Sequence, residues 1–461
     1  MDTNIDELKK RLNAKTIHDL RQIGRAVGVV RPADGKKDRL VDCILLIASG
    51  KADPAAPAVR GAHPKSQEYD RQIVADILRC RETSLSGNVQ DMQAVTEISV
   101  GSGTESDALD FIANGILEKC DGRWFMRPNG RREKFFTRVI VNEFFINNYG
   151  LRAGDMICGQ CKRTSVDEAA GLAVLHSVNG LSPDASRKRR RYEELTPLYP
   201  DKRIYTETEG DLICRIADLL SPLAAGQRAL VSGRRGSGKT TVLKKLAAGI
   251  RKNNPDFKLI LLLIDCAPEQ ESDFRRSFPD CDVFTSTYDA GAQFHVSTVT
   301  FVLEYAKRLL EAGRDVVLVF DNLTSLARAY ALCSKQFSVI APAAIDEVKK
   351  FFAAARNAEE GGSLTILTAM NTDTENRLEE SLVSELKRMC NMRFALADEI
   401  ADIRIFPAVD VKNTYTVWDE NLLSEEERHT AAQIREMPIA EAAGVVLRTK
   451  NNAELCDTLK R

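Results

Sequence analysis

Long apolar runs are missing from this chain. The longest, such as LILLLID at 259–265, fall far short of the roughly 20 residues that a membrane-spanning helix requires, so they are read as buried strands. A charge excess of one sign is missing too. Lys and Arg number 65 against 66 Asp and Glu, for a net charge of −1, so nucleic-acid binding would have to come from local patches. Eleven cysteines run from Cys43 to Cys456 without a repeating spacing, and no signal-like apolar segment opens the sequence. That argues against a disulfide framework and leads us to expect a reducing cytoplasm and no membrane association. The five histidines lie far apart with no metal-ligand spacing. Cys158-Gly-Gln-Cys161 is a lone CxxC without a second ligand pair, better read as two barrel cysteines than as a zinc or redox site.

With 461 residues, two to four domains are expected. Helical spacing of Leu8, Leu12, Leu20, Ile23, Val27, Leu40 and Ile44 predicts a small helical domain over residues 1–50. Residues 51–113 form a linker and helical connector, opening on the Ala- and Pro-rich KADPAAPAVRGAHPKS and including a helix around Tyr69 to Arg81. Short β-type segments separated by DG, PNG and NNYG turns predict a small barrel over 114–182. A connector, 183–210, carries RKRRR at Arg187 to Arg191, read either as a phosphate contact or as a solvated linker. From 211 to 461 strands and helices alternate, ending in C-terminal helices, which predicts a mostly parallel three-layered α/β domain.

Inside that last region, ALVSGRRGSGKTTVLKKL spells G-x-x-x-x-G-K-T where a strand gives way to a helix. Gly233, Gly236, Ser237, Gly238, Lys239, Thr240 and Thr241 are the expected ATP-holding set. Glycines let backbone N–H groups turn toward phosphates, the helix start adds its dipole, Lys239 bridges terminal phosphates and Thr240 coordinates Mg²⁺. A second strand, DVVLVFD, ends in Asp321, read as the carboxylate for the metal or as a helix-capping Asp.

At this point the chain resembles the transcription termination factor Rho family. The resemblance is carried by YEELTPLYPDKR (192–203), LSPLAAGQRALV, LLLID, NLTSLARAY (322–330), FFAAARNAEEGGSLTILTA (351–369) and RIFPAVD (404–410). It implies an accessory helical N-terminal domain, an OB-fold RNA-binding domain and a RecA-like P-loop ATPase domain. By implication, the partners are single-stranded RNA, RNA polymerase and identical subunits in a hexameric ring. Trp124 and Phe125 would stack on bases while Arg127, Arg131 and Arg132 meet phosphate, one aromatic of the alternating pair being barrel core. Phe406 would pack on adenine, Lys239, Thr240 and Asp321 would hold phosphates and metal, and Arg328 and Lys387 fall on the family's basic positions.

The chain departs from the family in three places. Cys266 stands where the family carries the Glu that polarises the attacking water, and a thiol at neutral pH is a poor substitute; Glu269 is the candidate replacement base. Thr416 occupies the arginine-finger position, with Lys412 four residues earlier. The first pore loop lacks its Ser-Gly-Lys and supplies Lys335 in another register. The second keeps Arg377 amid Asp373, Glu375 and Glu379. Two readings follow: an RNA-dependent ATPase and helicase that terminates transcription, or an ATP- and RNA-binding relative with little hydrolysis.

Overall fold

A computed structural model describes residues 11–12, 15–26, 37–48, 110–128, 139–163, 170–334, 342–373, 377–398, 400 and 407–460. The linker, the helix around Tyr69 to Arg81, Arg131, Arg132, Lys335 and Phe406 lie outside the described residues. The chain divides into two units, Met1–Ser102 and Gly103–Arg461.

In the first unit, helices α1 (Ile17–Ala26) and α2 (Lys37–Ala48) bury Leu20, Ile23, Leu40, Val41 and Ile44 together with Leu12. A reciprocal cap starts α1: the Asp19 amide donates to Thr16 Oγ1 and the Thr16 amide to Asp19 Oδ2, both at 3.2 Å.

The second unit opens with a closed five-stranded barrel, in the order β1 (Asp110–Cys120), β2 (Arg123–Pro128), β3 (Val139–Val141), β5 (Gly171–Val178), β4 (Met156–Lys162). The β1–β2 turn places both Asp121 and Gly122 at positive φ, 49° and 78°, the mirror-image turn that suits the twist of a hairpin. Helix α3 (Glu143–Tyr149) sits between β3 and β4, capped by the Asn142 side chain and closed by Gly150 at φ 62°. Leu117, Met126, Val141, Ile157 and Leu172 fill the interior with Cys161, whose thiol burial pushes up to about 11. This is OB-fold architecture, and the CxxC is part of its wall and core.

Next comes a largely parallel sheet. Its strands are β6 (Arg228–Gly233), β7 (Lys258–Cys266), β8 (Asp282–Thr287), β9 (Val316–Asp321), β10 (Ser363–Asn371), β11 (Met392–Ala395) and β12 (Tyr415–Thr416). They lie side by side in the order β8-β7-β9-β10-β6-β11-β12, parallel up to the antiparallel last pair. Both faces are buried, with strand side chains alternating between two cores. Ile260, Leu262 and Ile264 pack with Val302, Tyr305 and Leu326 on one side; Leu259, Leu261 and Leu263 pack with Leu219, Leu243 and Leu246 on the other. The first face is covered by α7 (Ala292–Glu311), α8 (Leu323–Cys333), α9 (Pro342–Ala353) and α10 (Arg377–Met389); the second by α4 (Leu212–Leu220), α5 (Lys239–Asn253) and α6 (Pro268–Ser277) with the C-terminal helices. These layers form the RecA-like domain.

Within the alternating pattern, DEVKKFFAAARN (346–357) reads as one helix, and the structure ends it sooner. Helix α9 stops at Ala353, and Arg356–Ala358 instead pairs antiparallel with the start of β10. The Gly361-Gly362 turn allows this, with the Ala358 amide donating to Gly362 O at 3.2 Å.

The basic connector also departs from expectation, because part of RKRRR is internal. Arg189 is buried, donating to Asp155 of the barrel at 2.5 Å and to Glu311 of α7 at 3.1 Å. Glu311 further accepts from Arg308 at 2.6 Å, from the Tyr192 amide at 2.8 Å and from Arg152 of the barrel at 3.1 Å. Arg190 pairs with Glu360 at 2.6 Å. Removing one member of a buried, saturated charge cluster leaves the others uncompensated, so Glu311→Ala is expected to lower stability by about 3–5 kcal/mol. Equilibrium urea unfolding would measure this.

Candidate nucleotide site

Strand β6 ends at Gly233, and α5 begins at Lys239. Between them the backbone reverses through Gly236 at φ 77° and Gly238 at φ 95°, values that favour glycine. Gly233 is constrained by space: a Cβ there would meet Ser237 Oγ at 2.6 Å and Leu396 Cβ at 3.0 Å. Helix α5 has Gly238 at its N-cap and no side-chain cap. Its first-turn amides have no intrahelical acceptor and form a ready cradle for anionic oxygens. Ser237 Oγ is buried and has no hydrogen-bond partner among the described residues, an orphaned polar atom that suits a phosphate-lined site.

Lys239 is buried, and its ammonium donates to Arg234 O at 2.5 Å. Burial pulls its pKa down to about 8, opposed by the charges of Asp321, Asp373 and Asp398. Thr240 Oγ1 donates to Asp321 Oδ2 at 2.6 Å. Burial pushes the Asp321 carboxyl up, opposed by that bond and by Lys239. The hydroxyl and carboxylate expected to hold Mg²⁺ are therefore adjacent, and the donor set fits a hard cation beside phosphate.

Two acidic residues stand at the loop where the sequence reading does not put them: Asp373 reads there as a pore-loop acid, and Asp398 is not singled out. Asp398 Oδ1 accepts the Arg234 amide at 3.2 Å, and Asp373 Oδ1 accepts the Arg235 amide at 3.0 Å. Each follows a strand neighbouring β6, a relation that only the sheet order reveals.

Cys266 closes β7, buried, with its thiol pushed up to about 12 by burial and then by Glu271 and Asp321. Glu269 lies exposed in the first turn of α6. The α6 acid whose charge bears on Cys266 is Glu271, which accepts from Arg275 at 3.0 Å. Arg328 of α8 is held by Glu379, 3.0 and 2.9 Å from Nε and Nη2. Lys387 lies on α10, its ammonium pulled down by burial and by Arg393. Arg377 begins α10. Thr416 is buried in β12 and donates to Pro222 O at 2.8 Å, so its side chain points into its own subunit; Lys412 is exposed in the preceding turn.

On the barrel, Trp124 packs against the core with Lys119 Nζ 5.2 Å from its ring centre, and Phe125 takes the opposite face of β2. Arg127 is engaged within the chain, paired with Glu118 at 2.6 Å and lying 4.9 Å over the Phe301 ring of α7. That differs from the open phosphate contact expected of it.

A G-x-x-x-x-G-K-T loop between a strand and a helix of a parallel sheet, with Asp321 two strands away, defines a nucleotide-binding P-loop domain. Consistently, residues 214–416 match the ATP synthase alpha/beta family, nucleotide-binding domain. The chain is 37% identical over 334 residues to transcription termination factor Rho of Bacillus subtilis (strain 168), covering 70% of this chain and 78% of that one. It is 33% identical to the Rho of Pseudomonas aeruginosa over 75% of this chain and 85% of the relative. To the Streptomyces lividans Rho it is 37% identical over 78% of this chain, but that match spans only 53% of the relative's length. The chain belongs to the transcription termination factor Rho family.

The Lys239 shift fixes a pH effect with a definite sign. Between about pH 8 and the ordinary lysine value near ~10.4 the unfolded chain holds the extra proton, so folding gains as pH rises through that window. Below it the buried ammonium costs about 2–3 kcal/mol. Lys239→Met is therefore expected to raise the Tm of the nucleotide-free protein at pH 7, with the gain shrinking toward pH 10, as differential scanning calorimetry would record.

Proposed function

We propose that this chain is an ATP-dependent transcription termination factor that binds single-stranded RNA, acts on RNA polymerase and works as a homohexameric ring in the cytoplasm. The observation that carries the ATP part is the Thr240–Asp321 hydrogen bond of 2.6 Å beside the buried Lys239. Family membership and the closed barrel support the RNA part, with Phe125 as the outward aromatic of β2. Lys239 and the α5 amides would hold the phosphates, and Thr240 and Asp321 the metal. Bound Mg²⁺ supplies charge neutralisation at the transferred phosphoryl group.

Cys266 favours a second reading on turnover. Its thiol, pushed up to about 12, carries its proton at neutral pH and cannot take one from water, so hydrolysis is slow unless a nearby carboxylate serves. The two acids at the start of α6 that could serve are Glu269, which is exposed, and Glu271, which is paired with Arg275 at 3.0 Å.

An RNA-stimulated ATPase assay on the full chain separates the readings. Slow multiple turnover that disappears in Lys239→Ala supports the enzyme; none in the wild type supports the binding relative. Cys266→Glu is expected to raise turnover by about 10²-fold, the scale of a positioned general base. No gain would mean that the thiol is not the deficit.

A further inference from the structure

The two carboxylates beside the phosphate loop have a geometry that the nucleotide reading leaves unused. Strand β6 is flanked by β10 and β11, and Asp373 and Asp398 follow the ends of those two strands. They act on consecutive peptide planes. In the Gly233–Arg234 plane, the N–H donates to Asp398 at 3.2 Å and the carbonyl accepts the Thr372 amide at 3.1 Å. In the Arg234–Arg235 plane, the N–H donates to Asp373 at 3.0 Å. Its carbonyl accepts Lys239 Nζ at 2.5 Å and the Ser237 amide at 3.3 Å. Because a trans peptide is rigid and its C=O and N–H point opposite ways, a carboxylate that fixes one end of the plane aims the other. Asp373 thereby sets the direction of the carbonyl on which Lys239 rests.

We infer that Asp373 and Asp398 are positioning residues of the phosphate loop, clamping its first two peptide planes so that Lys239 and the first-turn amides of α5 meet a nucleoside triphosphate already aligned. This rests on the nucleotide-binding reading of the loop. The bonds sit at the front of the loop, away from the helix-start amides that anions prefer, so the carboxylates hold the cradle without filling it. Their charges also favour the ammonium form of Lys239 against burial.

The test separates acceptor geometry from charge. Asparagine keeps an acceptor atom in place without the charge; glutamate keeps the charge and displaces it by one methylene; alanine removes both. A fluorescent ATP analogue is titrated with Mg²⁺ into the full chain and into the double Ala, Asn and Glu variants at both positions, with thermal unfolding followed in parallel. The clamp predicts on the order of tenfold weaker binding for Ala and Glu, where two hydrogen bonds to the loop are lost or displaced, and Asn within about threefold of wild type, where both are kept without their charge. Tighter binding by Asn and Ala would make the carboxylates repulsive, and equal weakening of Asn and Ala would make their charge the agent. Equal affinity in all four proteins would leave them no role; each of these results overturns the inference. Should the Ala variant not fold, the Asn–Glu contrast decides alone. Absence of binding by the wild type would instead overturn the nucleotide reading itself.

Discussion

The hydrogen bond between Thr240 and Asp321 joins residues on β9 and α5, elements tied to strands that are not neighbours in the sheet. Strand β10 lies between β6 and β9, so the distance between loop and carboxylate is set by the width of one intervening strand and the parallel register of three. Parallel strands put all their C-terminal ends on one edge, where loops converge. Every element of the candidate site follows from this: the loop after β6, Cys266 at the end of β7, Asp321 at the end of β9, and Asp373 and Asp398 beyond β10 and β11. An antiparallel exchange in the centre of the sheet would scatter these groups to opposite edges.

A second constraint ties the barrel to this sheet. Asp155 and Glu311 are buried carboxylates, and such groups persist only with close counter-charges and hydrogen bonds. Arg152, Arg189 and Arg308 supply them, drawn from the barrel, the connector and α7 respectively. Arg127 adds a contact from β2 to the same helix through Phe301. Helix α7 packs on the sheet through Val302 and Tyr305, so the barrel is braced against an element of the nucleotide domain's core rather than suspended from a solvated linker.

How much of this was legible in the sequence depends on how local the determinants are. The strand–loop–helix around Gly233 to Thr241 is written in adjacent residues, and so is the continuous apolar run that buries both faces of β7. The DG, PNG and NNYG turns between short β-type segments pointed to a barrel for the same reason. Arg189 was not legible: its partners Asp155 and Glu311 lie 34 and 122 positions away, and a run of five basic residues looks solvated unless those partners are known. Asp373 and Asp398 were hidden likewise, because two acids after two strands acquire meaning only when both strands prove to flank β6. Trp124 and Phe125 alternate across β2, and only the closed barrel determined which of them faces the core.

The departures at Cys266 and Thr416 differ in physical kind. Cys266 sits at the strand end where the family resemblance led us to expect a carboxylate; burial suppresses its thiolate, and a protonated thiol is a weak acceptor. The Thr416 hydroxyl is spent on the Pro222 carbonyl inside the same chain, so this side chain points inward while its neighbours Val417 and Trp418 are exposed. A finger supplied between subunits would have to come from another part of the surface, and in the exposed turn bearing Lys412 the Lys412 and Asn413 amides donate hydrogen bonds to Asp410 Oδ1 at 3.2 Å and 3.1 Å. The glycine loop keeps its backbone bonds to Asp373 and Asp398 and the adjacent Thr240–Asp321 pair, while the positions expected to carry a water-polarising carboxylate and an arginine finger hold Cys266 and Thr416. In the function proposed, nucleotide holding and hydrolysis draw on different strand ends of one sheet, so one can change without the other.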